Sequence, residues 1–275
     1  MRIVIALGNN ALLRRGQRPD AELQRANVVR VATAIAPLAH EHDLVVTHGG
    51  DPRPGAAAGH EPTAGARVDP LVAQNQGRIG SLLVCALHDV LPGRRVAAVL
   101  THTLVRADDP AFTRPSAPGA RSAVPTPGPE RILETDTVRT LLDSGTVTVC
   151  AGGGGVPVLT DRTGALRGVP AVVDKDLAAA LLAEDLKADF LLLLTDVPNL
   201  YADRGTGRQR PVLDATPAEL RRGHYPPDTM GPKAEAAARF VERTGGLAAI
   251  GHLDAAHEIV HGLSGTLVRP ALPGA

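Results

Sequence analysis

Two glycine-containing segments of the sequence are suited to binding a phosphate group. Gly8, Asn9 and Asn10 follow the apolar run RIVIAL, and exposed N–H groups there, with the Asn10 amide, could face an anion. Four consecutive glycines, 152–155, follow TVTVC. Such a run costs backbone entropy that an ordinary turn does not require, so it indicates close approach of the backbone to a ligand. An ordinary βα turn and a flexible loop are the respective alternatives.

Two lysines stand at the starts of predicted helices. Lys175 lies between Asp174 and Asp176 in VVDKDLAAALL, and Lys233 lies in MGPKAEAAARF. The helix dipole disfavours a lysine in the first turn, so its presence suggests a specific use, such as neutralising phosphoryl oxygens during a transfer reaction. A solvated run of charges is the alternative explanation for Lys175.

Polar residues also follow two further apolar runs. In LLLLTDVPNLY, Thr195 and Asp196 directly follow the run of leucines, and Tyr201 is the last residue. These polar side chains suit contacts with a nucleotide, or Asp196 could be a carboxylate that orders lysines. A simple strand-end cap is the alternative. His48, the best placed of the ten histidines, follows DLVVT. The sequence contains no HExxH, GxSxG or GxxxxGK[ST] motif, which argues against a zincin, an α/β-hydrolase and a P-loop NTPase.

The elements that must position these residues alternate between strand and helix. Predicted strands cover 2–7, 43–47, 95–100, 146–150, 190–194, 247–250 and 266–268, and predicted helices cover about 19–41, 69–90, 130–143, 175–184 and 233–244. This alternation indicates βαβ units and a mostly parallel sheet covered on both faces. Ligands of such sheets bind beyond the carboxyl ends of the strands. We therefore expect the chemistry at 8–10, 48–55, 152–155 and 195–197.

Composition restricts the possible functions. The 275 residues carry 29 basic and 29 acidic side chains, which argues against a generally basic nucleic-acid binder and against electrostatic attraction to a membrane. The two cysteines, Cys85 and Cys150, match no metal or disulfide spacing. We expect no signal peptide or membrane span, and a reduced, cytoplasmic setting. Residues 106–129 contain six prolines and predict a surface excursion or linker.

Taken together, these motifs resemble those of the carbamate kinase family, within the amino-acid-kinase superfamily. The segments that carry the resemblance occur in the family's order and cover nearly the whole chain: IVIALGNNALLRRG (3–16), QRANV (24–28), 46–55, QGRIG (76–80), DPAF (109–112), AGGGGVPV (151–158), VDKDL (173–177), LTDV (194–197) and MGPKA (230–234). The resemblance implies an α/β fold, a three-layer αβα sandwich with a mainly parallel central sheet. It implies a single domain with an acceptor-side lobe of about 1–145 and a nucleotide-side lobe of about 146–275, in a homodimer.

The activity implied by the resemblance is reversible phosphoryl transfer between carbamoyl phosphate and MgADP, with Mg²⁺ and ATP or ADP as cofactors, in arginine metabolism. The implied partners are the small substrate and an adenine nucleotide, without nucleic acid or membrane. The implied catalytic residues are Lys175, Asp176, Lys233 and Asn10. The implied substrate-binding residues are Gly8, Asn9, Gly49, Gly50, Asp51, Gly152 and Gly153. The implied nucleotide-binding residues are Gly154, Thr195, Asp196, Val197, Tyr201, Met230 and Lys233.

The sequence departs from the family's pattern at three places on the acceptor side. Asn9 replaces the second glycine of the family's Gly-Gly-Asn turn. In the second turn, where the family has His-Gly-Asn-Gly, this chain has His48, Gly49, Gly50 and the acidic Asp51. Residues 113–127 are too few to build the family's lid, and Ala117 stands where the lid lysine would be. Three hypotheses follow: a phosphotransferase of carbamate-kinase type with a trimmed lid, a diverged kinase with another small acceptor, and a catalytically degenerate nucleotide-binding homologue.

Overall fold

The structure of the chain is a computed structural model that describes residues 1–14, 16–17, 20–50, 68–113, 124–203, 205–227 and 229–271. The strands are β1 (Arg2–Leu7), β2 (Asp43–His48), β3 (Val96–Ala98), β4 (His102–Val105), β5 (Pro129–Ile132), β6 (Val147–Val149), β7 (Val156–Thr160), β8 (Leu166–Gly168), β9 (Phe190–Thr195), β10 (Leu200–Ala202), β11 (Arg210–Val212), β12 (Asp214–Ala215), β13 (Leu247–His252) and β14 (Thr266–Val268). The helices are α1 (Asn9–Leu12), α2 (Ala21–Glu41), α3 (Asp69–Val90), α4 (Thr135–Asp143), α5 (Lys175–Asp185), α6 (Pro217–Arg222), α7 (Met230–Thr244) and α8 (Ala256–Val260).

Eight strands form the central sheet, in the order β12-β14-β13-β9-β1-β2-β6-β3. All neighbours pair in parallel except β13 and β14. In β1, Ile3, Ile5 and Leu7 belong to one buried cluster and Val4 and Ala6 to the other. Successive side chains of a strand point to opposite faces, so a strand that is apolar at every position requires a layer on each side.

Helices supply both of these layers. Helices α4, α5 and α7 pack on the Val4 face, where Leu142, Leu182 and Phe240 are buried. Helices α2, α3 and α8 pack on the Ile3 face. The three-layer αβα sandwich with a mainly parallel sheet is therefore confirmed. None of the helices in the described part of the chain is long and apolar enough to cross a membrane.

A second sheet was missed by the sequence analysis. It has four strands in the order β5-β4-β7-β8, and β10 and β11 form a separate pair. The predicted helix at 130–143 is wrong in its first part: 129–132 is β5, paired antiparallel with β4, and α4 starts only at Thr135. These strands are three to five residues long and partly exposed, so they carry little of the periodic signal on which such predictions depend.

Candidate active site

The carboxyl ends of β9, β1, β2 and β6 lie side by side at one edge of the central sheet. The N–H of Gly8 donates to the Leu194 carbonyl (3.0 Å), and the N–H of Gly49 donates to the Leu7 carbonyl (3.1 Å). These contacts bring the turns after β1, β2 and β9 together, and the glycine turn after β6 follows next along the edge. The edge is the one that the sequence predicted.

At Gly8 and Gly49 the backbone N–H groups are already used by the neighbouring carbonyls. Glycine is needed here because there is little space for a side chain: a Cβ on Gly8 would stand 3.0 Å from the Leu194 carbonyl oxygen. A Cβ on Gly49 would stand 1.7 Å from Oδ1 of Asn9, so the Asn9 side chain occupies the space beside Gly49. Asn9, one of the departures from the family's pattern, therefore fills space next to the second turn.

A buried carboxylate holds two lysine ammonium groups. Lys175 Nζ donates to Asp176 Oδ1 (2.6 Å), and Lys233 Nζ donates to Oδ1 (3.0 Å) and Oδ2 (2.9 Å) of the same residue. The side chains of Asp176 and Lys233 are 5% and 6% exposed. Two cations, the buried Lys233 and the half-buried Lys175, share this one anion, so these three groups carry a net charge of +1 when all are ionised. The neighbouring Asp174 carboxylate is bound by N–H groups at the helix start. An anion is the ligand that this charge favours.

Because the two lysines share one carboxylate, the pKa values of all three groups are shifted. Burial alone would raise the pKa of Asp176, but the charges of Lys175 and Lys233 and their hydrogen bonds lower it to about 2. Burial lowers the pKa of Lys233 to about 8, since the attraction of Asp176 is opposed by the charge of Lys175. For Lys175 burial acts in the same direction, but the charges of Asp176 and Asp174 prevail and its pKa is raised.

Helix starts position the two lysines. The carboxylate of Asp174 caps α5 by accepting from the N–H groups of Asp176 (2.9 Å) and Leu177 (3.0 Å), which fixes Lys175 in the first turn. Burial and the charge of Asp176 raise the pKa of Asp174. Lys233 stands in the first turn of α7, which starts at Met230. The amino termini of two helices thus add partial positive charge near the lysines.

The glycine turn after β6 packs tightly against its surroundings. Ala151 takes a left-handed φ of 51°, and Gly153, Gly154 and Gly155 have φ values of 63°, 88° and 84°. A Cβ on Gly154 would stand 2.3 Å from the carbonyl oxygen of Val173, two residues before Lys175. Only glycine satisfies both the conformation and the space. The turn therefore abuts the segment that leads to Lys175.

A polar network holds this turn from the other side, and the sequence analysis missed it. Gln76 Oε1 accepts from the N–H (3.1 Å) and the hydroxyl (3.0 Å) of Thr101, and the Gln76 amide donates to the Thr101 carbonyl (3.0 Å). The Thr101 hydroxyl accepts from Ala151 N–H (3.0 Å), and Thr103 Oγ1 donates to the Gly154 carbonyl (2.7 Å). Gln76 belongs to the QGRIG segment that carries the family resemblance, but nothing in that segment or in the polar THT run at 101–103 indicated that the two meet.

His48 lies between the second turn and the glycine turn. It is 1% exposed, and its Nδ1 is 2.8 Å from the Gly49 carbonyl, to which it donates. A Cβ on Gly152 would stand 2.3 Å from its Cε1 and Nε2 atoms. Burial, with smaller effects of the Arg78 and Lys175 charges, lowers the pKa of His48 to about 4, against the opposing hydrogen bond to Gly49. This imidazole is therefore neutral at pH 7.

The remaining residues of the proposed site lie at the same edge or beside it. Asn10 Nδ2 donates to Asp196 Oδ2 (2.9 Å), and Thr195 Oγ1 donates to Asp196 Oδ1 (3.2 Å), which joins the turns after β1 and β9. Met230 is buried at the start of α7, and half-buried Val197 packs against the same core cluster. Tyr201 is in β10, half-buried in the two-stranded sheet.

Two expectations concern segments that the structure leaves undescribed. Asp51, the acidic departure in the second turn, lies outside the described residues, and Gly50 is the last described residue before it. Most of the shortened lid region, including Ala117, lies in 114–123 and is also outside them. Both stay predictions.

Comparison with known proteins assigns the chain to a family. The amino acid kinase family matches residues 1–251. A carbamate kinase of Rhizobium meliloti is 40% identical, with 98% of this chain and 93% of the relative covered. The chain belongs to the carbamate kinase family. It is therefore a member of a family of phosphotransferases.

Other members of the carbamate kinase family agree. The Haemophilus influenzae carbamate kinase is 37% identical over 307 aligned positions, more than the 275 residues of this chain, so that relative has residues without a counterpart here. The carbamate kinase of Giardia lamblia, solved bound to AMP-PNP, has a TM-score of 0.89 and 34% identity, with 98% of each chain covered.

Proposed function

We propose that this chain transfers a phosphoryl group reversibly between carbamoyl phosphate and ADP at the carboxyl edge of β1, β2, β6 and β9. The observation that carries the proposal is the buried cluster of Lys175, Asp176 and Lys233 beside bare glycine turns. Its charge suits phosphate groups, and membership of the carbamate kinase family supplies the reaction class.

The side chains divide the work without a covalent intermediate. Each ammonium group has three N–H donors, so Lys175 and Lys233 keep donors for phosphoryl oxygens while they bind Asp176. Asp176 orients both ammonium groups. The Asn10 amide has two N–H donors and uses one on Asp196, which leaves the other for the transferred group. Positioning and charge neutralisation of this kind are what phosphoryl transfer requires of a protein.

The acceptor and the nucleotide occupy opposite sides of this cluster in our proposal. Gly8, Asn9, Gly49 and Gly50 border carbamoyl phosphate, together with Asp51, Gly152 and Gly153. The nucleotide lies against Gly154, Thr195, Asp196, Val197, Tyr201 and Met230.

The residues present fit a nucleotide accompanied by Mg²⁺. The donor set consists of ammonium groups and helix amino termini, which match phosphate oxygens. Because both lysines bind Asp176, phosphate oxygens rather than this carboxylate would hold the ion. When bound, Mg²⁺ supplies charge neutralisation on the phosphates.

A homodimer, a cytoplasmic location and a role in arginine metabolism complete the proposal, on the strength of the family resemblance. Sedimentation velocity at micromolar concentration tests the dimer, which we expect to sediment at twice the mass of the 28.5 kDa chain.

An ATP-forming assay tests the reaction. The chain is incubated with carbamoyl phosphate, ADP and Mg²⁺, and ATP is measured by luciferase. We expect turnover in the unaltered chain and a loss of about 100-fold or more in Lys175→Met, because one charge-stabilising donor typically contributes that much. The control is Lys187→Met. Lys187 is exposed and is the one lysine outside the cluster, so this variant should keep full turnover.

The outcomes separate the parts of the proposal. No ATP from the unaltered chain would exclude carbamoyl phosphate as its substrate. Full turnover in Lys175→Met would remove Lys175 from the mechanism. Circular dichroism and the melting temperature of each variant show that the fold is retained.

A second candidate function is transfer to another small acceptor. The observation in its favour is the Asn9 side chain beside Gly49, which reduces the space on the acceptor side of the cluster. Calorimetric titration with ADP distinguishes it: a chain that binds ADP and forms no ATP from carbamoyl phosphate uses another acceptor or is catalytically degenerate. ATP consumption with a panel of small carboxylic acids then separates these two.

A further inference from the structure

Three potential metal ligands from two distant parts of the chain meet on the surface. Glu41 is the last residue of α2, His257 is in α8, and His261 directly follows α8. One ligand atom of each lies within 4.8 Å of the other two. Glu41 Oε1 is 3.5 Å from His257 Nε2, and Glu41 Oε2 is 3.9 Å from His261 Nε2.

A hydrogen bond to the backbone fixes the tautomer of one of these imidazoles in the form that binds a metal. His261 Nδ1 lies 2.9 Å from the His257 carbonyl oxygen, to which it donates. This contact places the proton on Nδ1 and leaves the lone pair on Nε2, the atom that faces Glu41. Metal-binding histidines usually have their other ring nitrogen held by a carbonyl or carboxylate in this way.

A further histidine adjoins the cluster. The side chain of His42 is only 12% exposed, and its Nε2 is 3.9 Å from Glu41 Oε2. Both of its ring nitrogens are buried without a hydrogen-bond partner among the described residues. A buried imidazole without a partner carries a desolvation cost, which a metal ion or a bridging water next to Glu41 would relieve.

We propose that Glu41, His257 and His261 form a surface site for a divalent transition-metal ion, of which Zn²⁺ is the best match. Two imidazoles and one carboxylate are a zinc ligand set that leaves the fourth position for water or for His42. Zinc–nitrogen bonds of about 2.0–2.1 Å at tetrahedral angles place ligand atoms roughly 3.4 Å apart. Each imidazole lies 3.5–3.9 Å from one of the two Glu41 oxygens, and one ligand atom of each residue lies within 4.8 Å of the others, so small side-chain rotations bring the three to this spacing.

The site is separate from the proposed phosphoryl-transfer site. Glu41 and His42 precede β2, so they lie at the amino end of that strand, whereas Gly49 and Gly50 lie at its carboxyl end. Six residues of β2 separate the two ends by about 17 Å. Mg²⁺ prefers oxygen ligands, so it does not compete well for this site. The ion would join α2 to the end of α8 and stabilise the fold without taking part in the reaction.

Competition with a chromophoric chelator tests the site, using Zn²⁺ on the EDTA-treated full chain. All variants carry Cys85→Ser, because the exposed Cys85 thiol could also bind zinc. We expect one Zn²⁺ per chain with micromolar or tighter affinity. His257→Ala and His261→Ala should each weaken it at least about tenfold, while His88→Ala, another exposed histidine, leaves it unchanged.

Thermal unfolding gives a second measurement. Zn²⁺ should raise the melting temperature of the parent and of His88→Ala, and should not raise that of His257→Ala. The side chains of His257 and His261 are 41% and 43% exposed, so their truncation leaves the metal-free melting temperature near that of the parent. The proposal is overturned if the parent binds no Zn²⁺ at micromolar concentration, or if His257→Ala binds it as tightly as His88→Ala.

Discussion

At the scale of single residues, the use of lysine is distinctive. The chain has only three lysines among its 29 basic lysine and arginine residues, and two of them, Lys175 and Lys233, share Asp176. Apart from Lys187, the other basic side chains of this count are arginines. A compact ammonium group can approach a shared carboxylate and a phosphoryl oxygen together, whereas a planar guanidinium group has a wider and fixed donor geometry.

Asp176→Asn should destabilise the chain strongly. The variant leaves two buried ammonium groups without their counter-ion, and loss of one member of a buried ionic cluster costs about 3–5 kcal/mol. Urea unfolding at pH 7 measures this loss. Asp89→Asn, at an exposed position, is the control, and an equal small effect of both substitutions would contradict the structural role of Asp176.

At the scale of elements, the site depends on how closely turns and helix starts approach one another. The glycine turn after β6 is held by Thr101 and Thr103 and lies against Val173, which leads directly into α5. The position of Lys175 is therefore coupled to the conformation of the turn. Sequence rules predicted both elements but gave no information about the contact between them.

Gly154→Ala compared with Gly164→Ala measures this contact. Both glycines are left-handed, with φ of 88° and 85°, so alanine costs about 1 kcal/mol at either position. At Gly154 the new Cβ also meets the Val173 carbonyl, whereas at Gly164 nothing lies within 4 Å. We expect a loss of about 3 kcal/mol at Gly154 in urea unfolding. Equal losses at both glycines would show that the turn adjusts freely.

The turns after β1 and β2 are coupled in the same manner through Asn9 and Gly49. Gly49→Ala places a Cβ against the Asn9 side chain, so it should lower stability and ATP formation. In an Asn9→Gly background the same substitution should cost less, because the nearest contact has been removed. A double-mutant cycle measures the coupling, and strictly additive effects would show that the two side-chain positions are independent.

At the scale of the whole molecule, stability should depend on pH through His48. Its folded pKa of about 4 lies below the ordinary value of 6.5, so the unfolded chain binds more protons between these values. Stability is then fully present above about pH 6.5 and falls as the pH falls towards 4. The contribution of this single group is at most about 3 kcal/mol.

Urea unfolding at pH 7, 6 and 5 measures this dependence. We expect His48→Gln to lose less stability than the parent between pH 7 and pH 5, since a neutral amide takes up no proton. His88→Gln, at an exposed histidine, should retain the parent's dependence. An identical pH dependence in His48→Gln and the parent would show that other groups cause the acid sensitivity.

Local signals were enough to predict much of this molecule. The apolar strands 2–7, 43–47 and 190–194 and the helices 69–90 and 175–184 were close to their observed bounds, because burial on both faces and helix capping are encoded within short windows. The glycines, Lys175 and Lys233 stood out because local backbone rules disfavour them without a specific use. The division into two lobes and the functional roles of the individual site residues stay predictions.

The sequence by itself predicted the alternation of strands and helices, a mainly parallel sheet with a layer on each face, and the strand ends at which we place the site, because these features depend on periodicity within short windows. Only the tertiary structure decided the second sheet, the pairing of Asp176 with Lys233 across 57 positions, and the meeting of Glu41 with His257 across 216. The physical reason is that such contacts depend on how packed layers bring distant segments together, and no short window of sequence encodes that distance.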